Sequence, residues 1–117
     1  MASIKITPAK LNYTMVRGDD FADTVTIKEG DPLAAVDVSA RTYTAQVRST
    51  PDGTVIASFV IDMTNAATGI VAYSLADTVT DDLDGAYVWD FQQDTAGVVR
   101  TLMGGSFVVL KDVTRAA

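Results

Sequence analysis

Asp81, Asp82, Asp84 and Gly85 set three carboxylates ahead of a glycine, the outline of a calcium loop. A loop of the EF-hand type needs oxygen ligands at its first, third and fifth positions, glycine at the sixth and glutamate at the twelfth. With Gly85 sixth, Thr80 falls first and Phe91 twelfth, so the acidic ends of the loop are missing. The segment reads as a capped turn before a strand, leaving room for no more than an opportunistic calcium contact. Asp52, Asp62, Asp90 and Asp94 could supply the paired carboxylates of a glycosidase. Asp52 and Asp94 fall in expected turns, however, and no spacing draws two of the four into one cleft. Tyr87, Trp89 and Phe91 alternate, which would suit a sugar-stacking platform if the row were exposed. A same-face aromatic row is expected to be core instead, each ring burying roughly 150–250 Å². Arg17-Gly18-Asp19 spells a tripeptide of integrin ligands, and Asn12-Tyr13-Thr14 matches the N-glycosylation pattern. Gly18 is expected merely to bend the chain, with Asp19 and Asp20 solvated, and Asn12 to lie within a strand. No catalytic, cofactor-binding or metal-binding residue is assigned.

Composition narrows the chemistry further. The 117 residues include neither Cys nor His. That removes Cys/His zinc sites, thiol nucleophiles, Ser-His-Asp triads and disulfide scaffolds. A chain of this length is one domain's worth, buries roughly 65% of its unfolded surface and needs no metal to hold together. The net charge of −6 repels phosphate backbones and anionic membranes, so neither nucleic acid nor membrane is expected as a partner. Hydrophobic residues make up 48%, far from the composition of a disordered acidic segment. No apolar run of about 18 residues is present. Met1–Pro8 lacks the apolar stretch of a signal peptide, so synthesis in a cytoplasm is expected.

The elements that must position these residues are strands. Val, Ile and Thr make up 36 residues, and their β-branched side chains suit a pleated surface. Fourteen of the fifteen acids are Asp, a turn and cap residue, and only Glu29 is Glu. Apolar residues recur at period two in segment after segment. Ile4 and Ile6 form a short run before Pro8, and Leu11, Tyr13 and Met15 share a face over 10–17. Phe21, Val25 and Ile27 follow over 21–28, with a turn at 29–32 and a short connecting run through Val36 and Val38. Tyr43, Ala45 and Val47 mark 42–48. After the Pro51-Asp52-Gly53 turn, Val55, Ala57, Phe59, Ile61 and Met63 make the longest unbroken alternation. Val71, Tyr73 and Leu75 mark the next strand. The pattern then breaks at 77–83, where Val79 and Leu83 lie four apart and Asp77 is a candidate N-cap for one short helical turn. Strands resume at 86–92 and 98–110, joined by a hairpin turn at Asp94-Thr95-Ala96-Gly97, with Gly104-Gly105 read as a bulge or bend.

About seven strands with turn signals roughly every 8–12 residues predict an all-β fold, a single Ig-like antiparallel β-sandwich spanning residues 1–117. Residues 1–8 read as an N-terminal arm and 111–117 as a C-terminal tail. Leu83-Asp84-Gly85-Ala86-Tyr87 has the form of a tyrosine corner, in which the phenol bonds back to the backbone just upstream.

In order along the chain, Met15–Phe21, Val36–Ser39, Tyr43–Arg48, Gly85–Asp90, Val99–Gly105 and Asp112–Arg115 resemble segments of small phage tail and baseplate proteins. The likeness is to the N-terminal domain of phage upper baseplate proteins and covers roughly residues 11–115. Ser39-Ala40 stands where that family usually has a glycine, and the chain ends at Ala117 where upper baseplate proteins continue into further regions. The resemblance implies a non-enzymatic virion structural protein, a tail-tip or baseplate adaptor docked on other virion subunits, with copies of itself as further partners in the particle. A capsid decoration protein is the near alternative. A carbohydrate-binding module for host attachment, which needs an exposed Trp89, and a small hydrolase, which needs converging carboxylates, are the remaining ones.

Overall fold

A computed structural model describes residues 9–30 and 32–111. The Ile4–Ile6 run, the arm at 1–8, Asp31 of the expected turn and residues 112–117 of the tail lie outside the described residues. The strands are β1 (Ala9–Lys10), β2 (Tyr13–Val16), β3 (Phe21–Thr26), β4 (Lys28–Glu29), β5 (Ala34–Ala35), β6 (Thr42–Arg48), β7 (Val55–Ser58), β8 (Val60–Asp62), β9 (Ile70–Leu75), β10 (Gly85–Thr95) and β11 (Val98–Leu110). A 3₁₀ turn at Ala66–Thr68 and helix α1 (Asp77–Thr80) complete the set.

One sheet runs β11-β10-β6-β7, and β1 and β2 both pair parallel with β11 along its other side. The facing sheet is β3-β9-β8, wholly antiparallel, and β4-β5 is a small separate ribbon. This is the immunoglobulin arrangement: β3, β9 and β8 stand for strands B, E and D, and β6, β10 and β11 for C, F and G, with β7 added at the edge. The all-β sandwich and the short helical turn read from the sequence are both present.

The long alternation from Val55 to Met63 does not form one strand. It divides into β7, which pairs with β6 in the first sheet, and β8, which pairs with β9 in the second. Phe59 is the crossing point, its N–H bonding to Ala45 O at 2.9 Å. Both sheets enclose the same core, so the inward period survives the change of sheet: Ala57 and Phe59 are buried, Ile61 and Met63 half-buried. The expected strand over 10–17 is likewise broken at Leu11-Asn12, where the Asn12 Oδ1 accepts the Ser106 N–H in place of a backbone carbonyl.

The expected bulge or bend at Gly104-Gly105 is absent from the strand register. β11 continues straight through Gly104-Gly105. The register shift lies two residues earlier, Phe91 facing Met103 and Gln92 facing Thr101, so Leu102 is the extra residue. Glycine is required at the pair because a Cβ on Gly104 would sit 2.8 Å from Trp89 O, and one on Gly105 would strike Leu11 O. At the far end of the hairpin, Ala96 and Gly97 both have positive φ, the two-residue turn that matches strand twist.

The helical turn is capped from a distance. Ala76, not Asp77, occupies the N-cap position and makes no side-chain cap. The Asp77 N–H is taken by Asp20 Oδ1 at 2.8 Å, and Thr80, fully buried, donates to Asp19 O at 2.6 Å. The Arg17-Gly18-Asp19-Asp20 bend thus clamps α1, with Gly18 in the left-handed region. Val79 is exposed while Leu83 is buried, so the two do not share an inward face.

Eight of the nine aromatic residues make one ring network across both sheets. Tyr73 of β9 stacks on Trp89 of β10 at 5.7 Å, Phe59 meets Trp89 edge-on at 5.8 Å, and Phe21 meets Phe107 at 5.3 Å. Such pairs add about 0.5–1.5 kcal/mol each beyond burial. Trp89 is 3% exposed and Phe91 0%, so the alternating aromatic row is core. The ninth ring, Tyr87, makes the tyrosine corner: its hydroxyl accepts the Asp84 N–H at 2.9 Å and donates to Asp84 O at 3.1 Å.

Candidate functional site

The outward faces of the first sheet hold a recess of about 510 Å³ lined by Lys10, Asn12, Gln46, Arg48, Pro51, Val88, Trp89, Asp90, Gly105 and Ser106. Cross-strand register builds it. Lys10, Gly104, Asp90 and Gln46 lie side by side across β1, β11, β10 and β6, and Ser106, Val88 and Arg48 form the next outward row. Because Gly104 has no side chain, the space between Lys10 and Asp90 is floored by backbone. Two strand spacings separate those residues, about 10 Å.

Two of the polar groups in the recess are fixed by neighbours. Arg48 donates from Nη1 to Gly53 O at 2.8 Å and from Nη2 to Gln46 Oε1 at 2.9 Å. The second bond leaves the Gln46 amide NH₂ as its available group. Asn12 Oδ1 holds the Ser106 N–H at 3.0 Å and likewise leaves an NH₂ to the surroundings. Asp90 differs from both. It is half-buried, and among the described residues its carboxylate accepts no hydrogen bond. Burial pushes its carboxyl above the ordinary value, and the nearby Arg48 charge only partly opposes this.

A second polar group sits, partly exposed, beside the β4-β5 ribbon. Arg41 grips Glu29 with both guanidinium nitrogens, at 2.7 and 3.2 Å, and reaches Gln93 Oε1 at 3.1 Å. Tyr43 donates to the same Gln93 oxygen at 2.8 Å. Arg41 holds the Glu29 carboxyl below its usual range, and burial raises the Tyr43 phenol. A third group joins the sheets: Tyr13 donates to Asp23 Oδ2 at 2.6 Å, with the Tyr73 hydroxyl 2.5 Å away, and burial raises both phenols. The buried polar side-chain atoms here have partners, so both clusters are structural.

The carboxylates singled out from the sequence scatter. Asp62 turns back on Thr64, and Asp94 takes the Gly97 N–H of the hairpin. Asp52 is exposed, Asp84 lies 3.7 Å from Lys111 Nζ, and Asp81 and Asp82 are exposed beside α1. Among the described residues no three carboxylates gather around a common point. Only Asp90 enters the recess. Lys10, Gln46 and Arg48 were not singled out and Gly104 only as a bulge or bend, although an outward Asp in the most aromatic strand facing a Gly-Gly pair was the available signal.

β7 and β8 are edge strands of their respective sheets, and among the described residues nothing pairs with their outer sides. Val55, Ile56 and Val60 are exposed there, Val60 by 65%. Unblocked edges with apolar side chains are templates for strand addition. Compared with known proteins, the chain matches no family model and no curated protein sequence.

Proposed function

We propose that this protein is a non-enzymatic structural component of a phage virion, an Ig-like adaptor that docks onto other tail or baseplate subunits. The reading places it in the particle after synthesis in the host cytoplasm, against other virion subunits or copies of itself. The observation that carries it is the flank at Val55–Asp62, where both sheets end in strands that no described residue pairs with and that present Val55, Ile56 and Val60. Apolar edge strands lying side by side are what an assembly subunit closes by contact. The ordered resemblance along residues 11–115 supports the same class.

Quantitative mass spectrometry of purified particles tests the reading. The chain is expected at a fixed ratio to tail or baseplate subunits, and an Ile56→Lys, Val60→Lys double variant that keeps its fold should be lost from the particles. Absence of the unmodified chain from particles overturns the reading. A ratio matching the shell subunits would move the chain to capsid decoration.

A further inference from the structure

We propose that the recess between Lys10 and Asp90 binds a neutral sugar, the Asp90 carboxylate accepting from its hydroxyls and the Gln46 and Asn12 amides donating to them. This goes beyond the assembly role and does not rest on it.

The geometry selects the ligand class by elimination. Asp90 accepts only, Lys10 donates only, Gln46 and Asn12 have their oxygens engaged and their NH₂ groups left, and Ser106 can do either. A ligand must therefore donate at one point and accept at several others a few ångströms away. Hydroxyl groups do both from a single atom. A cationic ligand would pair with Asp90 but would meet Lys10 and Arg48 on either side. An anion would pair with Lys10 or Arg48 but would meet the Asp90 carboxylate between them. Uncharged polyols face neither penalty. Val88 and Pro51 add apolar surface for the C–H face of a ring. The volume of about 510 Å³ lies within the range of small-ligand sites.

Two features favour a built site over an accident of the surface. The floor depends on Gly104, where any side chain would strike the backbone of β10. And Asp90 is kept partly dry with no hydrogen-bond donor among the described residues, an arrangement that costs stability in the empty protein and is relieved by a ligand that donates.

The full chain, labelled with ¹⁵N, is titrated with glucose, galactose, N-acetylglucosamine and their short oligomers, and in parallel with arginine and inorganic phosphate. Saturable shifts are expected for one or more sugars, confined to Lys10, Gln46, Val88, Asp90 and Gly104–Ser106. Asp90→Ala and, separately, Gln46→Ala should each weaken binding about tenfold or more, the loss of a hydrogen bond to the ligand. Wild-type-like spectra elsewhere show that the variants are folded. The proposal is overturned by no shift with any sugar up to roughly 50 mM, by shifts with arginine or phosphate alone, or by sugar shifts that survive both substitutions.

Discussion

The two faces of β10 are built from the same strand and end in opposite states. Inward, Trp89 Nε1 donates to Leu11 O at 2.8 Å, and Gln93 is held by Tyr43 and Arg41. Every buried polar side-chain atom among the described residues has a partner. Outward, one residue from Trp89, the Asp90 carboxylate is half-buried and, among the described residues, without a hydrogen bond. The inner face has satisfied its own polar groups with elements of its own chain. The outer face leaves one without a hydrogen bond among the described residues.

Four substitutions break or sharpen this contrast. Trp89→Ala should cost roughly 3–5 kcal/mol in denaturant unfolding, by opening a cavity where both sheets meet and orphaning Leu11 O. A loss below about 1 kcal/mol would mean that the inner face does not depend on its aromatic row. Arg41→Ala should cost about 1 kcal/mol, since it leaves Gln93 half-satisfied and Glu29 unpaired, partly discounted because Glu29 is near solvent. Arg41 lowers the folded-state pKa of Glu29, so its contribution is present above the ordinary glutamate value and is lost as pH falls through the lowered one. The gap between wild type and Arg41→Ala should therefore narrow on acidification, and a gap that widens would contradict the pairing.

Tyr87→Phe should cost about 0.5–1.5 kcal/mol through the two bonds to Asp84, less than a fully buried hydroxyl because the corner is half-exposed. Asp90→Asn should produce the smallest change and the opposite sign. Burial raises the folded-state pKa of Asp90, so its ionisation penalty is absent below the ordinary Asp value and complete above the raised one. Asp90→Asn should raise Tm at neutral pH and leave it unchanged at acidic pH. A lowered Tm at neutral pH would show that the carboxylate already has a donor.

The same contrast explains what the sequence made legible. The inward row of β10, the corner at Tyr87 and the hairpin at 94–97 depend on residues adjacent in the chain, and their signals were local. The division of Val55–Met63 was not legible, because an alternation reads identically whether its neighbour lies in one sheet or the other. Nor was the capping of α1, whose donor and acceptor stand 57 residues apart. The recess was least visible of all. Outward polar residues carry no periodic signature, and only the pairing of four strands sets Lys10, Gly104, Asp90 and Gln46 in one line.

The parallel pairing of β2 with β11, Tyr13 beside Phe107 through Val16 beside Leu110, has a mechanical corollary. The chain enters this pair at one end and leaves it at the other, so tension drawn through the two termini slides the strands lengthwise past each other. Such a load falls on all the cross-links at once and cannot peel them singly, which makes this seam the part of the molecule best suited to carry force.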